Sequence, residues 1–151
     1  MATVLPEWIS AAQAAQAATG IPASVTLAQF VLESGWGAHI PAGSNNGFGI
    51  KALPGQAAVL EPTHEYKNGA LVQTEARFAV YDTLSDAFIE HDELLADSHY
   101  YAGARLHLPN DIDGFCNALT GVYSTSPTYG ATLIELINEH NLTQYDAPAA
   151  A

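Results

Sequence analysis

Apolar residues recur at helical spacing near the start of the chain and again in its second half, with strand-like alternation between them. Leu5 to Thr19 reads as an alanine-rich helix closed by Gly20. Pro22 suits the first turn of a second helix, along which Val25, Ala28, Val31 and Leu32 form one apolar face. Glu33 falls in the last turn, and Ser-Gly-Trp-Gly stops the helix at once. The following "GWGAHIPAGSNNGFGIKALPG" is dense in Gly, Asn and Pro and reads as an ordered loop. The stretch "THEYKNGALVQTEARFAVY" is the expected hairpin, turning at Asn68-Gly69, with Phe78 and Val80 facing one side and Ala79 and Tyr81 the other. Helical spacing returns after Asp82-Thr83, where Leu84, Phe88, Leu94 and Leu95 form a stripe. A shorter helix is expected from Asp111 to Leu119. A last one runs from Pro127 to about His140, with Tyr129, Leu133, Ile134 and Ile137 on one face. Together these elements predict an α+β domain, mostly helical with a small β-hairpin lobe, over residues 1–145, and a frayed tail at 146–151. No internal repeat or interdomain linker interrupts it.

The length, 151 residues, suits one domain with a core of its own. Hydrophobic residues make up 48% and charged residues 13%, which excludes a disordered or fibrous chain. No apolar run approaches the roughly 20 residues of a membrane-spanning helix, and "MATVLPEWIS" lacks the basic start and apolar stretch of a signal peptide. Cys116 is the only cysteine, so an intramolecular disulfide is excluded, and its setting in "DGFCNALTG" reads as a small buried apolar residue. Charge narrows the partners further. Four Lys plus Arg stand against sixteen Asp plus Glu, a net charge of −12. A phosphate-tracking surface cannot be assembled from four cations, so nucleic acid is excluded and anionic membranes are poor partners. A neutral or zwitterionic glycan is compatible.

Glu33 admits two readings. Most glutamates at a helix end are solvated and inert. Negative charge at a helix C-terminus is, however, disfavoured by about 0.3–1 kcal/mol, and Phe30 and Trp36 nearby would limit its hydration. Both effects raise a carboxyl pKa, and a carboxylic acid kept protonated near neutrality can protonate a leaving oxygen. The six histidines are scattered without metal-ligand spacing, and "DIDG" lacks the remaining ligands of a calcium loop, so neither a metal nor another cofactor is expected. Tyr81, Tyr100, Tyr101 and Tyr129 are candidates to stack on sugar rings or to pack in the core.

In order along the chain, "TLAQFVLESGWG", "NNGFGIKA", "THEY", "ARFAVYDTLSDAF" and "GVYSTSPTY" resemble blocks of glycoside hydrolase family 73, the peptidoglycan glucosaminidases of bacteria and phages. The resemblance spans Ile21 to Leu142 and implies a lysozyme-like fold and cleavage of β-1,4 glycosidic bonds. It makes Glu33 the general acid, Glu65 the second functional carboxylate across the cleft, and Tyr123 the aromatic residue that orients the sugar or the reacting centre. Asn46, Phe48, Gly49 and Lys51 match the cleft-floor block, and with Trp36, Tyr81 and Tyr129 they are the expected substrate contacts. Two departures stand out: Ser126 replaces a common aspartate, and Val122 adds a residue between Gly121 and Tyr123. Carboxyl groups about 5 Å apart would make the second a nucleophile, whereas about 6.5–9.5 Å leaves room for a water. The substrate's own acetamido group is a third possible nucleophile. The expected partner is peptidoglycan, in the periplasm or cell wall, reached by phage lysis or a non-classical secretion route. A secreted effector of this kind implies a cognate immunity protein occluding the cleft. The rival readings are a non-catalytic glycan-binding module of the same fold and a lytic transglycosylase.

Overall fold

A computed structural model describes residues 3–147, with the side chains of residues 65–67 outside the described part. Six helices and one hairpin follow each other as α1 (Pro6–Thr19), α2 (Ala23–Ser34), β1 (Ala58–Lys67), β2 (Ala70–Ala79), α3 (Leu84–Asp97), α4 (Ala102–Arg105), α5 (Ile112–Ala118) and α6 (Tyr129–Glu139). Short 3₁₀ turns at His99–Tyr101 and Leu142–Tyr145 complete the chain. None of the described helices is long and apolar enough to cross a membrane.

The core is built around α2. Every residue from Ala23 to Val31 is buried, so this helix is enclosed on all sides and does not present the single apolar stripe its periodicity suggested. Leu32, expected on that stripe, is 39% exposed, and Pro22 caps the helix from outside its first turn. Full enclosure obliges the polar members of α2 to find partners. Ser24 donates its N–H and its hydroxyl to the Asp146 carboxylate (2.7 and 2.8 Å), and Thr26 donates to Asp92 (2.7 Å). Gln29 donates to the Tyr129 hydroxyl (3.1 Å) and Ser34 to the Phe30 carbonyl (2.6 Å). The Asp146 bond holds the first residue of the expected tail, whose residues 148–151 lie outside the described part. Asp146 is tied to α2 and Ala147 N–H donates to Gln16, so the folded unit runs at least to Ala147. Around Phe30, the rings of Trp8, Phe48 and Phe88 lie 5.0, 5.5 and 4.9 Å away, a cluster that joins α1, α3 and the loop before the hairpin.

The hairpin turns at Asn68-Gly69, both with positive φ (52° and 80°), as a two-residue antiparallel connection demands. Its first strand begins at Ala58, five residues before the expected start, and pairs from Ala58↔Ala79 to Lys67↔Ala70. Its second strand ends at Ala79, so Val80 and Tyr81 lie beyond the ladder. The Gly- and Asn-rich loop then docks along β2. Ala52 N–H donates to Arg77 O, Ala79 N–H to Ile50 O, and Tyr81 N–H to Ser44 O, each at 2.9 Å. This docking brings the loop that carries Asn46 to Lys51 between the helical body and the hairpin.

Candidate active site

Glu33 is placed by the way α2 ends. Gly35, Trp36 and Gly37 all adopt left-handed backbone conformations (φ 58°, 59° and 84°), and the N–H groups of Gly35 and Trp36 both return to the Val31 carbonyl. Ser34 clamps the turn, donating to Phe30 O while accepting from Gly37 N–H (2.9 Å). The chain reverses within one helical turn, and Glu33 is left on the surface of an otherwise buried helix.

Three cavities of about 600, 630 and 260 Å³ surround that side chain, and Glu33 lines all of them. The first lies between Pro41, Gly47 and the hairpin residues Glu61, Thr63 and Phe78. The second runs between Phe48, Lys51, Thr63 and Tyr123. The third is bounded by Leu32, Ser124, Ser126, Tyr129 and Thr132. Glu33 thus stands at the centre of a groove with the hairpin on one wall and α6 on the other.

The Glu33 carboxyl is open to this groove on one side and hemmed in by protein on the other. Loss of hydration raises its pKa above the ordinary 4.5, and this outweighs the lowering by the nearby His91 charge and by the Tyr129 hydroxyl. Tyr129 O–H donates to Glu33 Oε1 at 3.4 Å while accepting from Gln29 Nε2, so a buried amide orients the phenol that touches the carboxyl. The Tyr123 ring stacks on Tyr129, centroids 5.5 Å apart and planes 23° from parallel. Burial lifts both phenols above their ordinary value, and the Glu33 charge pushes them the same way. Tyr123 and Tyr129 are therefore neutral hydrogen-bonding groups at any working pH.

The residues singled out in the sequence divide into two groups. Glu33, Lys51, Tyr123 and Tyr129 meet at the groove. Asn46 and Phe48 reach it only with their edges, being 1% and 4% exposed. Asn46 is a loop brace instead of an open contact: its amide donates to Ile50 O and Ala79 O (2.8 and 3.0 Å), and its carbonyl accepts from Phe48 N–H and Ile50 N–H. Tyr81 packs with Ala79 and Ala87 at the hairpin base and lines none of the three cavities. Trp36 also stays off the groove, edge-on to His140 at 4.8 Å. Glu65 pairs with Val72 on β1, and its side chain lies outside the described residues. Among the described residues no group of three or more His, Cys, Asp or Glu is gathered to hold a metal. Cys116 is fully buried, which pushes its thiol up to about 12, well away from nucleophilic use.

Three groups escaped the sequence reading. Glu61 lies two residues before Thr63 on the groove-facing side of β1, in the same cavity as Glu33. Residues His91 and Asp92 are buried (1% and 0% exposed) in α3, whereas the expected stripe residue Leu94 is 47% exposed. The signal was present: Phe88, His91, Asp92 and Leu95 have i, i+3, i+4, i+7 spacing, so two polar residues occupy core positions.

Comparison with known proteins agrees with this geometry. Residues 9–142 match the family described as "Glucosaminidase: Mannosyl-glycoprotein endo-beta-N-acetylglucosaminidase". The autolysin of Enterococcus faecalis is 35% identical over 154 residues, covering 97% of this chain and 21% of the relative. A Lactococcus lactis protein named "Probable N-acetylmuramidase" is 35% identical over 141 residues, covering 89% of the chain and 32% of the relative. The chain therefore spans about a fifth to a third of these relatives. Among solved structures, the catalytic domain of the autolysin Auto from Listeria monocytogenes superposes with a TM-score of 0.82 at 30% identity, covering 97% of this chain and 91% of that one.

Proposed function

The chain belongs to the glucosaminidase family, glycoside hydrolase family 73, and has its lysozyme-like fold, and we propose that it is a peptidoglycan hydrolase domain that cleaves β-1,4 glycosidic bonds of the glycan strand with Glu33 as general acid. One observation carries the assignment. Glu33 is the residue at which the three cavities meet, and burial raises the pKa of its carboxyl. A groove open on both sides of the acid suits a polymer that enters along its length. A carboxyl pKa raised towards neutrality is what protonation of a glycosidic oxygen requires.

The second carboxylate is assigned to Glu65, on the strand that forms the opposite wall, with Tyr123 as a neutral hydroxyl at the reacting centre. Peptidoglycan places the site of action at the cell wall or periplasm. A protein inhibitor, such as an immunity protein guarding a producing cell, would act by filling the groove between Glu33 and Thr63. The Glu33→Gln protein tests the central assignment. It should fold as the parent does and lose activity on purified peptidoglycan by roughly 10²–10⁴-fold, since the amide keeps the shape but cannot deliver a proton. Near-parental turnover would sink the assignment. Mass spectrometry of the parent's products then fixes the bond. Reducing N-acetylglucosamine ends support the glucosaminidase reading, N-acetylmuramic acid ends a muramidase, anhydro ends a transglycosylase, and no fragments a binding module.

A further inference from the structure

Beneath the groove floor, α3 presents two adjacent buried groups that the proposed reaction does not use. His91 Nδ1 lies 2.9 Å from Asp92 Oδ1, and the Asp92 carboxylate accepts from Thr26 Oγ1 at 2.7 and 2.9 Å. The imidazole lies parallel to the Phe48 ring (4.0 Å, 18°) and edge-on to Tyr123 (5.8 Å, 73°). Its other nitrogen, Nε2, is buried without a hydrogen-bond partner. A buried carboxylate and a buried imidazole with an orphan nitrogen are a costly choice for a site that an apolar pair would fill. Packing alone does not explain them.

Their contacts do. His91 touches both Phe48, in the floor loop, and Tyr123, in the groove wall, and a positive charge on it lowers the Glu33 pKa. Asp92 holds the ring at Nδ1 and ties it to α2, the helix that carries Glu33, through Thr26. We infer that Thr26, Asp92 and His91 form a buried positioning triad that holds Tyr123 and Glu33 in register across the groove. The inference rests on the reading of Glu33 as the general acid. The groups facing Glu33 are His91 from α3, Tyr129 from α6 and Tyr123 from the segment between α5 and α6. Those facing Tyr123 are His91, Tyr129, Tyr101, Glu33 and Asp92.

The sign of the effect follows. Glu33 must be protonated to act, so activity falls as pH rises through its pKa. A positive charge on His91 lowers that pKa, and removing it moves the alkaline limb of the profile to higher pH. The test compares His91→Phe, which keeps a flat ring on Phe48, and Asp92→Asn, which keeps a partner for Thr26, with Glu33→Gln as reference. Dye-labelled purified peptidoglycan and soluble glycan fragments serve as substrates. His91→Phe should shift the alkaline limb upward, and both variants should lose about tenfold or more in kcat with KM little changed. Should His91→Phe fail to fold, Asp92→Asn still reports through kcat and KM. Parental kcat in a folded variant overturns the triad, as does a loss that only follows the folded fraction. If Glu33→Gln itself retains activity, the general-acid reading fails first, whatever the triad variants do.

Discussion

As the proposed general acid, Glu33 faces two opposed demands: reaching substrate and holding its proton. The turn after α2 meets the first by exposing it to the groove, and the protein packed behind it meets the second by limiting hydration. The arrangement has a consequence for stability. A carboxyl whose pKa is raised in the folded state stabilises the fold below its unfolded value, 4.5, and that contribution is lost as pH rises through the raised value. At pH 7 the folded protein therefore carries a poorly hydrated carboxylate that glutamine would not carry. Glu33→Gln should melt higher than the parent at pH 7, and the difference should shrink towards pH 4. Thermal unfolding at the two pH values checks this. A variant less stable than the parent by the same margin at both would show that Glu33 is not disfavoured in its charged form. The residue scale is also where sequence reading was sharpest and where it stopped. Glu33 stood out as a candidate because an acid before Ser-Gly-Trp-Gly ends an otherwise apolar helix. The role of Trp36 was not, because three left-handed residues in a row turn its ring towards His140, and no periodicity reports that.

At the scale of elements, the site depends on how closely α6 approaches α5, because α6 carries Tyr129. Gly130 makes that approach possible. A Cβ there would lie 2.6 Å from the Cys116 carbonyl oxygen and 2.7 Å from the Asn117 Cα, both backbone atoms that cannot rotate aside. Its N–H also donates to Thr120 Oγ1 at 3.0 Å. Gly130→Ala should force α6 outward, destabilise the fold by about 1–3 kcal/mol, and loosen the Tyr129 contact with Glu33. Chemical denaturation combined with kcat on peptidoglycan checks both effects. An alanine protein with parental stability would mean that the two helices have room to spare. Helices α1, α3, α5 and α6 were legible within a few residues from their spacing and end signals, although the buried face of α3 runs through His91 and Asp92 instead of Leu94. The 3₁₀ turn His99–Tyr101 and α4 were not. There the order comes from a side chain of α4 itself, the Arg105 guanidinium, donating back to the carbonyls of Leu95 and Ser98 (2.8 and 2.7 Å) as α3 ends, which no apolar spacing reports. The early start of β1 was missed for a similar reason. Its first residues are paired by β2, and their own sequence, "AVLEP", carries little alternation.

For the whole molecule, the governing quantity is a net charge of −12 carried by a chain with four Lys plus Arg. Peptidoglycan of a wall loaded with anionic polymers repels such a body, and the repulsion acts before any contact in the groove is made. Its reach is set by salt, with a Debye length of about 30 Å at 0.01 M falling to about 10 Å at 0.1 M. Hydrolysis of intact anionic walls should therefore speed up as NaCl rises from about 10 to 150 mM, since the approach of enzyme to wall is the step being screened. On the same walls stripped of their anionic polymers, the rate should vary much less. Clearing of wall suspensions across a salt series, with stripped and unstripped walls side by side, measures the difference directly. A rate that falls with salt on the unstripped walls would mean that local cationic contacts dominate over the net charge. Lys51, at the groove, would be the first residue to replace in that event.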